Sequence, residues 1–243
     1  MRLFLLLIAM ITNSSLFAED LTIGTRPFIP PFEMMAGKNN SFTGFDIELM
    51  MDVCKRIGAN CSFKPRPFIQ LFNDVQTNKI DLAMSAITIT NERKEYVLFS
   101  IPYFQSSGQF MAKSLSHLNS FNDIRGKRAG IELGTTGKGL IQARFGEDVT
   151  ILEFATTQDV LQALADDNVD VILMDTGAAQ YWVANNNQYQ LVDIPISDGS
   201  GYGIMTNKTK TDLINRINTA LTQIENDGTY LKLYSRYFSK FSP

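Results

Sequence analysis

A short pattern that occurs twice constrains the fold of this chain more than any other feature. Residues 75–82 and residues 164–171 both read as the end of an apolar helical stripe, a polar turn and the start of an apolar strand. A helix–turn–strand unit that recurs in each half of the chain predicts two similar α/β lobes.

Each predicted lobe presents polar side chains just after a buried strand. The first half offers Ser85, Thr88 and Arg93 after the strand-like run 81–84, and the second half offers Asp175. Open α/β sheets bind ligands beyond the carboxyl ends of their strands, so these side chains are candidates for one cleft between the lobes. There Arg93 would bind a carboxylate bidentately and Asp175 would pair with an ammonium group. Two simpler interpretations stay open: Arg93 as a surface residue and Asp175 as a helix N-cap.

Two glycine-rich segments add to this picture. Residues 132–137 form a Gly/Thr-rich turn that opens a helix at about Lys138, where free backbone N–H groups suit an anion. The spacing is not that of a phosphate loop. Residues 198–203 are also rich in glycine and could flex as a hinge.

The first residues have the pattern of a secretory signal peptide. Arg2 supplies a positive charge, an apolar run extends from Leu3 to Ile11, and Ala18 precedes the expected cleavage. The apolar run is too short to span a bilayer, which takes about 20 residues. Cleavage after Ala18 leaves 243 − 18 = 225 residues, and the loss of Arg2 takes the formal net charge from −3 to −4.

Export and a mildly acidic charge limit the classes of function. We do not expect nucleic-acid binding, because no basic stripe is present to replace counterions. The two cysteines and the single His117 are too few ligands for a metal site, and no cofactor is expected.

The two cysteines are placed where they can form a disulfide. Asp46 suits the N-cap of a helix that ends before Gly58, with Cys54 near its end, and Cys61 begins the next predicted strand. Because an exported protein folds in an oxidising environment, a Cys54–Cys61 bond is plausible and would stabilise the fold by roughly 2–3 kcal/mol.

The order and spacing of these motifs resemble the polar amino-acid family of bacterial solute-binding proteins, the exported receptors of ABC importers. The resemblance covers nearly the whole mature chain. It is carried by residues 31–33, 44–49, 81–93, 99–103, 134–136, Asp175 and residues 227–230. The Cys54/Cys61 pair is similar to the disulfide of a narrower subgroup, the lysine/arginine/ornithine, histidine and arginine receptors.

The resemblance implies a two-lobed periplasmic-binding-protein fold (type II), with two α/β lobes joined by two hinge strands and closing on the ligand. On this basis we expect residues 19–106 with 201–243 to form lobe 1 and residues 107–200 to form lobe 2.

The resemblance also implies roles for individual residues. Arg93 would bind the α-carboxylate of the ligand, helped by Thr88 and by the backbone at Thr136. Asp175 would bind the α-ammonium group, and Ser85 would line the pocket.

Three positions depart from the family pattern. Phe68 falls where relatives place an apolar or aromatic side chain over the ligand, but Ile29 stands where a second stacking aromatic is usual, so Phe28 is a candidate substitute. Ala86 replaces a serine that is often found beside Ser85. Arg26 stands where several receptors for cationic ligands carry an acid.

These departures leave the ligand's side chain open. Arg26 argues against a basic ligand, whereas Glu132 lies at the pocket-side turn and could pair with a cationic side chain. Glu33 is a further candidate for that pairing, although a structural role suits it equally.

We therefore expect a monomeric periplasmic receptor that captures a free L-amino acid, arginine first, and delivers it to an inner-membrane ABC permease. One alternative is a receptor for a neutral polar amino acid such as glutamine. A second is a periplasmic cyclohexadienyl dehydratase acting on arogenate or prephenate, in which Glu132 would be the acid. A third is an exported sensing or adhesive protein with the same cleft.

Overall fold

A computed structural model describes residues 18–36 and 41–240 of the chain. All but the last residue of the expected signal peptide lie outside this part. The strands within it are β1 (Glu19–Thr25), β2 (Phe28–Ile29), β3 (Glu33–Ala36), β4 (Ser41–Thr43), β5 (Ala59–Pro65), β6 (Leu82–Ala83), β7 (Val97–Phe99), β8 (Ser107–Lys113), β9 (Arg128–Glu132), β10 (Thr150–Phe154), β11 (Val171–Asp175), β12 (Tyr189–Ser197) and β13 (Met205–Asn207). The helices are α1 (Phe45–Ile57), α2 (Phe68–Gln76), α3 (Asn91–Lys94), α4 (Phe121–Ile124), α5 (Gly137–Phe145), α6 (Thr157–Ala165), α7 (Thr176–Asn185), α8 (Thr211–Asn226) and α9 (Thr229–Phe238).

The first lobe is built on a sheet with strand order β5-β1-β6-β13-β7. Strands β5, β1 and β6 are parallel, and β13 is antiparallel to both of its neighbours. Leu82 packs with α1, α8 and α9 on one face, while the next residue, Ala83, packs with α2 on the other. Both faces of this sheet are therefore covered by helices, as the alternation of side chains along a strand allows.

The second lobe repeats this arrangement on a sheet with strand order β10-β9-β11-β8-β12. Strands β10, β9 and β11 are parallel, and β8 runs antiparallel to β11 and β12. Leu173 packs with α4 and α5, and the neighbouring Ile172 packs with α6 and α7. The structure confirms the predicted fold of two α/β lobes.

The two copies of the sequence pattern, residues 75–82 and 164–171, adopt the same backbone turn and form equivalent hydrogen bonds. Asn78 and Asp167 occupy the same position in the two copies, and both have a positive φ, 55° and 58°. The aspartates that follow, Asp81 and Asp170, each accept a hydrogen bond from a backbone N–H of the neighbouring strand, at 2.9 Å and 2.8 Å. Each copy therefore delivers a helix into a central parallel strand by the same turn.

Two extended segments join the lobes, as predicted. They meet where Tyr202 bridges to Phe104, and Tyr202 also bridges to Thr88 of the first lobe. Gly201 is required there, because its φ is +103° and a side chain would meet the carbonyl oxygen of Phe104 at 2.7 Å. A small sheet of order β2-β3-β4 packs on α1 beside the first lobe.

Helix α1 carries one confirmed and one wrong prediction. Cys54, in α1, and Cys61, in β5, form the expected disulfide. The N-cap is Gly44 and not Asp46. The side chain of Asp46 is fully buried, where it accepts hydrogen bonds from Ala86 and Tyr103. Across residues 18–36 and 41–240, no helix combines the length and the apolar character needed to cross a membrane.

Candidate functional site

A cavity of about 40 Å³ lies between the lobes, just beyond the carboxyl ends of β1, β6, β9 and β11. The fold therefore places the site where parallel strands of both lobes end, as expected for open α/β sheets. The charged residues of its wall are Arg26, Arg93, Glu132, Asp175 and Asp198.

Arg93 reaches the cavity from the short helix α3, which begins after Thr90 as N-cap. Its Nη1 donates to the carbonyl oxygen of Thr88 at 2.7 Å, and its Nη2 donates to the carbonyl oxygen of Gly134, in the second lobe, at 2.9 Å. Burial lowers the pKa of Arg93 to about 10, against the opposing effect of the Asp198 and Asp175 carboxylates. The side chain is thus a cation at neutral pH that contacts both lobes, and not a surface residue.

Asp175 lines the cavity from the second lobe, as the last residue of β11. Its Oδ1 accepts a hydrogen bond from the hydroxyl of Tyr202 at 2.6 Å, and its Oδ2 lies 3.5 Å from Nη2 of Arg26. The carboxylate forms no cap hydrogen bond with the helix that follows. Burial raises the pKa of Asp175, and the nearby Arg26 guanidinium and the Tyr202 hydrogen bond oppose that effect.

Arg26, at the end of β1, is the most heavily bonded side chain of the site. Its Nη1 donates to Oε2 of Glu132 at 3.0 Å, its Nε donates to Oγ of Ser85 at 2.9 Å, and its Nη2 donates to the carbonyl oxygen of Ser85 at 2.8 Å. The side chain is 3% exposed. Burial alone would lower the pKa of Arg26, but the carboxylates of Glu132, Asp175 and Glu33 together raise it above its ordinary value.

Ser85 lies beneath Arg26 and not on the cavity wall. Its hydroxyl accepts from the backbone N–H and Nε of Arg26 and donates to Glu33 through a short hydrogen bond. The pKa of Glu33 is raised by burial and by the nearby Asp46 carboxylate. Ser85 and Glu33 therefore support the arginine from behind, and Glu33 does not line the cavity.

Glu132 lies at the end of β9 and joins the two lobes. Besides Arg26, its Oε2 accepts a hydrogen bond from the hydroxyl of Thr157 at 2.7 Å. Thr157 begins α6, so two elements of the second lobe hold this carboxylate against a guanidinium of the first lobe.

The hydroxyls of Thr88 and Thr136 meet at Asp198. Thr88 Oγ1 donates to Oδ2 of Asp198 at 3.1 Å, and Thr136 Oγ1 donates to the same oxygen through a short hydrogen bond. Asp198 comes from the glycine-rich segment between the lobes. It therefore draws a residue of each lobe to one point of the cavity wall.

Of the two aromatic residues expected at the ligand, Phe68 and Phe28, only Phe68 lines the cavity. Phe68 lines the cavity, and the guanidinium carbons of Arg26 and Arg93 lie 4.8 Å and 5.5 Å from its ring centroid. Phe28 is not on the cavity wall; it packs against Trp182 of the second lobe, with ring centroids 6.1 Å apart. Ile29, the next residue along β2, faces the cavity instead, because successive side chains of a strand point to opposite sides.

Three residues of the site were not expected to be there from the sequence. The sequence marks Arg26 only as a departure from the family pattern, does not point to Thr157, and predicts a flexible hinge at Asp198. The signal for Arg26 was its position directly after β1. Asp198 gave none, because its contacts are made with residues far away in the chain.

The arrangement suits a small ion that carries both charges. Arg93 supplies a guanidinium and Asp175 supplies a carboxylate to the wall of the cavity, and both side chains are only partly exposed to water. Buried charges need partners of opposite sign, so a zwitterion would satisfy both walls at once.

Two α/β lobes that are joined by two extended segments and enclose such a cavity form the architecture of periplasmic binding proteins. The structure superposes with a TM-score of 0.88 on an arginine transport periplasmic binding protein of Legionella pneumophila, at 38% identity over 91% of this chain and 100% of that one. It superposes with a TM-score of 0.85 on a Salmonella typhimurium periplasmic binding protein described as having high arginine specificity, at 28% identity over 91% and 100% of the two chains.

Sequence comparison gives the family. The profile of bacterial extracellular solute-binding proteins, family 3, matches residues 21–240. ABC transporter arginine-binding protein 1 of Escherichia coli K12 is 33% identical over 236 residues, which cover 96% of each chain. The chain belongs to family 3 of the bacterial extracellular solute-binding proteins. This is a family of solute receptors and not of enzymes, so the dehydratase alternative is not supported.

Proposed function

We propose that the protein is the periplasmic receptor of an amino-acid ABC importer and that arginine is its first ligand. The α-carboxylate would bind to Arg93 with the help of Thr88 and Thr136, and the α-ammonium group would bind to Asp175. The side-chain guanidinium would pair with Glu132 beside the ring of Phe68.

The observation that carries this proposal is the charge of the cavity wall. Its three carboxylates, from Glu132, Asp175 and Asp198, face two guanidiniums, from Arg26 and Arg93, which leaves one negative charge in excess. A neutral zwitterion would leave that charge unmatched, whereas arginine brings one net positive charge. The arginine-binding relatives support the same choice.

The remaining parts of the proposal concern the molecule as a whole. We propose export after cleavage at Ala18, action as a monomer, and delivery of the ligand to an inner-membrane permease. The lobe boundaries that we propose, residues 19–106 with 201–243 and residues 107–200, agree with the start of β8 at Ser107 and the end of β12 at Ser197.

Calorimetric titration with arginine, citrulline and glutamine tests the ligand. Citrulline has nearly the shape of arginine but an uncharged side-chain terminus, so we expect arginine to bind at least tenfold more tightly than citrulline or glutamine. In the Arg93→Ala variant, the α-carboxylate loses its guanidinium, and a loss of 2–5 kcal/mol, typical of leaving one buried charge unpaired, should remove detectable binding.

A matched control is Arg125→Ala, which removes an exposed arginine of the second lobe paired with Asp148. It should bind arginine as the unmodified protein does. Equal affinities for arginine and citrulline would contradict arginine as the ligand, and full affinity in Arg93→Ala would contradict the role of that residue.

A further inference from the structure

The side chain of Arg26 is held in the cleft by partners from both lobes. Ser85, on its own lobe, binds Nε through the hydroxyl and Nη2 through the carbonyl oxygen, and Glu132, on the other lobe, binds Nη1 at 3.0 Å. Nη2 also lies 3.5 Å from Oδ2 of Asp175. The guanidinium is therefore a fixed part of the cavity wall and not a mobile surface charge.

These partners are the ones that a ligand's guanidinium would need. Glu132 is the carboxylate proposed for the side chain of arginine, and Arg26 already takes its Oε2. Phe68 is the aromatic ring proposed to cover that side chain, and the guanidinium carbon of Arg26 lies 4.8 Å from its centroid, within the range of a cation–π contact.

The space left beside Arg26 is small. The cavity has a volume of about 40 Å³, and one water molecule already requires roughly 10–15 Å³ measured in this way. A few water molecules fill it, whereas the side chain of a free arginine does not fit while the guanidinium of Arg26 lies where it is and the lobes stay closed.

The charges lead to the same conclusion. Two guanidiniums that share the single carboxylate of Glu132 in a nearly dry site repel each other, and the low dielectric of the site strengthens that repulsion. A second guanidinium can therefore enter only if the first gives up part of its hold on Glu132.

We infer that Arg26 is a specificity-determining residue that competes with the side chain of the ligand for Glu132 and Phe68. This inference rests on the proposed arginine-binding function. The guanidinium of Arg26 lowers the affinity of the protein for arginine. It thereby reduces the difference in affinity between arginine and amino acids with uncharged side chains. Removing it frees Glu132 for the ligand.

Titration of an Arg26→Ala variant with arginine and with citrulline measures this competition. Arginine should bind at least tenfold more tightly than to the unmodified protein, because both the carboxylate and the space become free. Citrulline gains the same space but not the charge of Glu132, so its affinity should rise by a factor at least threefold smaller than that of arginine. The selectivity for arginine over citrulline then rises.

Three further variants make the result specific. Arg26→Gln keeps an amide donor near Ser85 without the charge, and it should show the same change in selectivity even if Arg26→Ala folds poorly. Arg26→Lys keeps the charge and should retain the selectivity of the unmodified protein. In a Glu132→Gln background, Arg26→Ala should raise the affinities for arginine and citrulline by similar factors, and a double-mutant cycle measures the part of the arginine gain that depends on Glu132. Circular dichroism and a melting curve establish that each variant is folded.

The outcomes separate this inference from the proposed function. If the unmodified protein binds arginine with selectivity and the folded Arg26 variants leave that selectivity unchanged or lower it, competition by Arg26 is refuted while the function stands. If none of the proteins binds arginine, the proposed function fails. A gain in selectivity for arginine over citrulline that persists in the Glu132→Gln background would also overturn the inference, because the competition would not be for Glu132.

Discussion

Asp46 has a fully buried carboxyl group, and burial disfavours its charged form. Its Oδ2 accepts from the backbone N–H of Ala86 and from the hydroxyl of Tyr103, each at 2.8 Å. Its Oδ1 and Oε2 of Glu33 are buried without a hydrogen-bond partner among the described residues. Burial raises the pKa of Asp46 to about 7, against the opposing effects of these two hydrogen bonds and of the Arg26 guanidinium.

The raised pKa of Asp46 predicts how stability depends on pH. Between an ordinary value of 3.8 and about 7, the folded protein holds a proton that the unfolded chain has released. The free energy of unfolding therefore falls as the pH rises through this window, and Asp46 contributes no further change above it. A shift of this size corresponds to a loss on the order of 4 kcal/mol at most.

Asp46→Asn should remove most of that pH dependence, because the amide oxygen can still accept from Ala86 and Tyr103 without a charge. Urea unfolding at pH 5 and pH 8 measures it: the unmodified protein should lose about 2–4 kcal/mol more than the variant between the two values. Glu147→Gln, at an exposed site of the second lobe, should behave as the unmodified protein does. Parallel pH profiles for Asp46→Asn and the unmodified protein would show that Asp46 is charged throughout.

Single residues were also where the sequence was least informative. Asp46 has the residue type and position of an N-cap, and only the packing of Ala86 and Tyr103 against it shows that it is a buried acceptor. Phe28 and Ile29 are both apolar, and which of them faces the cavity depends on the orientation of a two-residue strand. Such choices are made by contacts between distant residues, which local patterns do not contain.

At the scale of elements, the sequence was a better guide, because the repeated pattern encodes local geometry. Asn78 and Asp167 lie at matching positions and both adopt a left-handed backbone, which asparagine and aspartate tolerate better than other side chains except glycine. The apolar residues on either side predicted the helices and strands that this turn connects. Strand β6 was harder, since only two residues of the predicted run form a ladder.

The left-handed turn gives a prediction that separates backbone conformation from side-chain contact. Asn78→Ala should lower the free energy of unfolding by about 1 kcal/mol, because an alanine at a φ of 55° is strained. Asn78→Gly should stay within about 0.5 kcal/mol of the unmodified protein, since glycine adopts this conformation freely. Urea unfolding measures both.

Gln76→Ala, at the exposed end of α2, is the matched control and should change stability by no more than about 0.5 kcal/mol. Asp167→Ala and Asp167→Gly repeat the comparison in the second lobe. If the alanine and glycine variants at residue 78 are equally stable, the turn is not held by its backbone conformation.

The two lobes meet at an aromatic contact away from the cavity. Phe28, in β2, packs edge-on against Trp182, in α7, and Trp182 is the only tryptophan of the sequence. The sequence predicted that the lobes would close on each other, but the role of Phe28 in that closure follows only from the packing. Because one ring lies on each lobe, the indole becomes more exposed to water when the lobes part.

Closure of the whole molecule can therefore be followed by its single tryptophan. We expect arginine to shift the emission of Trp182 to shorter wavelength, because the ligand favours the closed form in which Phe28 covers the indole. In Phe28→Ala this shift should be lost, and the affinity for arginine should fall roughly two- to twelvefold, which corresponds to the 0.5–1.5 kcal/mol of an aromatic pair. Phe42→Ala breaks a comparable pair, Phe42 with Phe63, that does not cross between the lobes, so it should keep both the shift and the affinity.

An emission maximum that does not move at saturating arginine would mean that the lobes are already closed without ligand. Closure would then contribute nothing to the recognition of the amino acid.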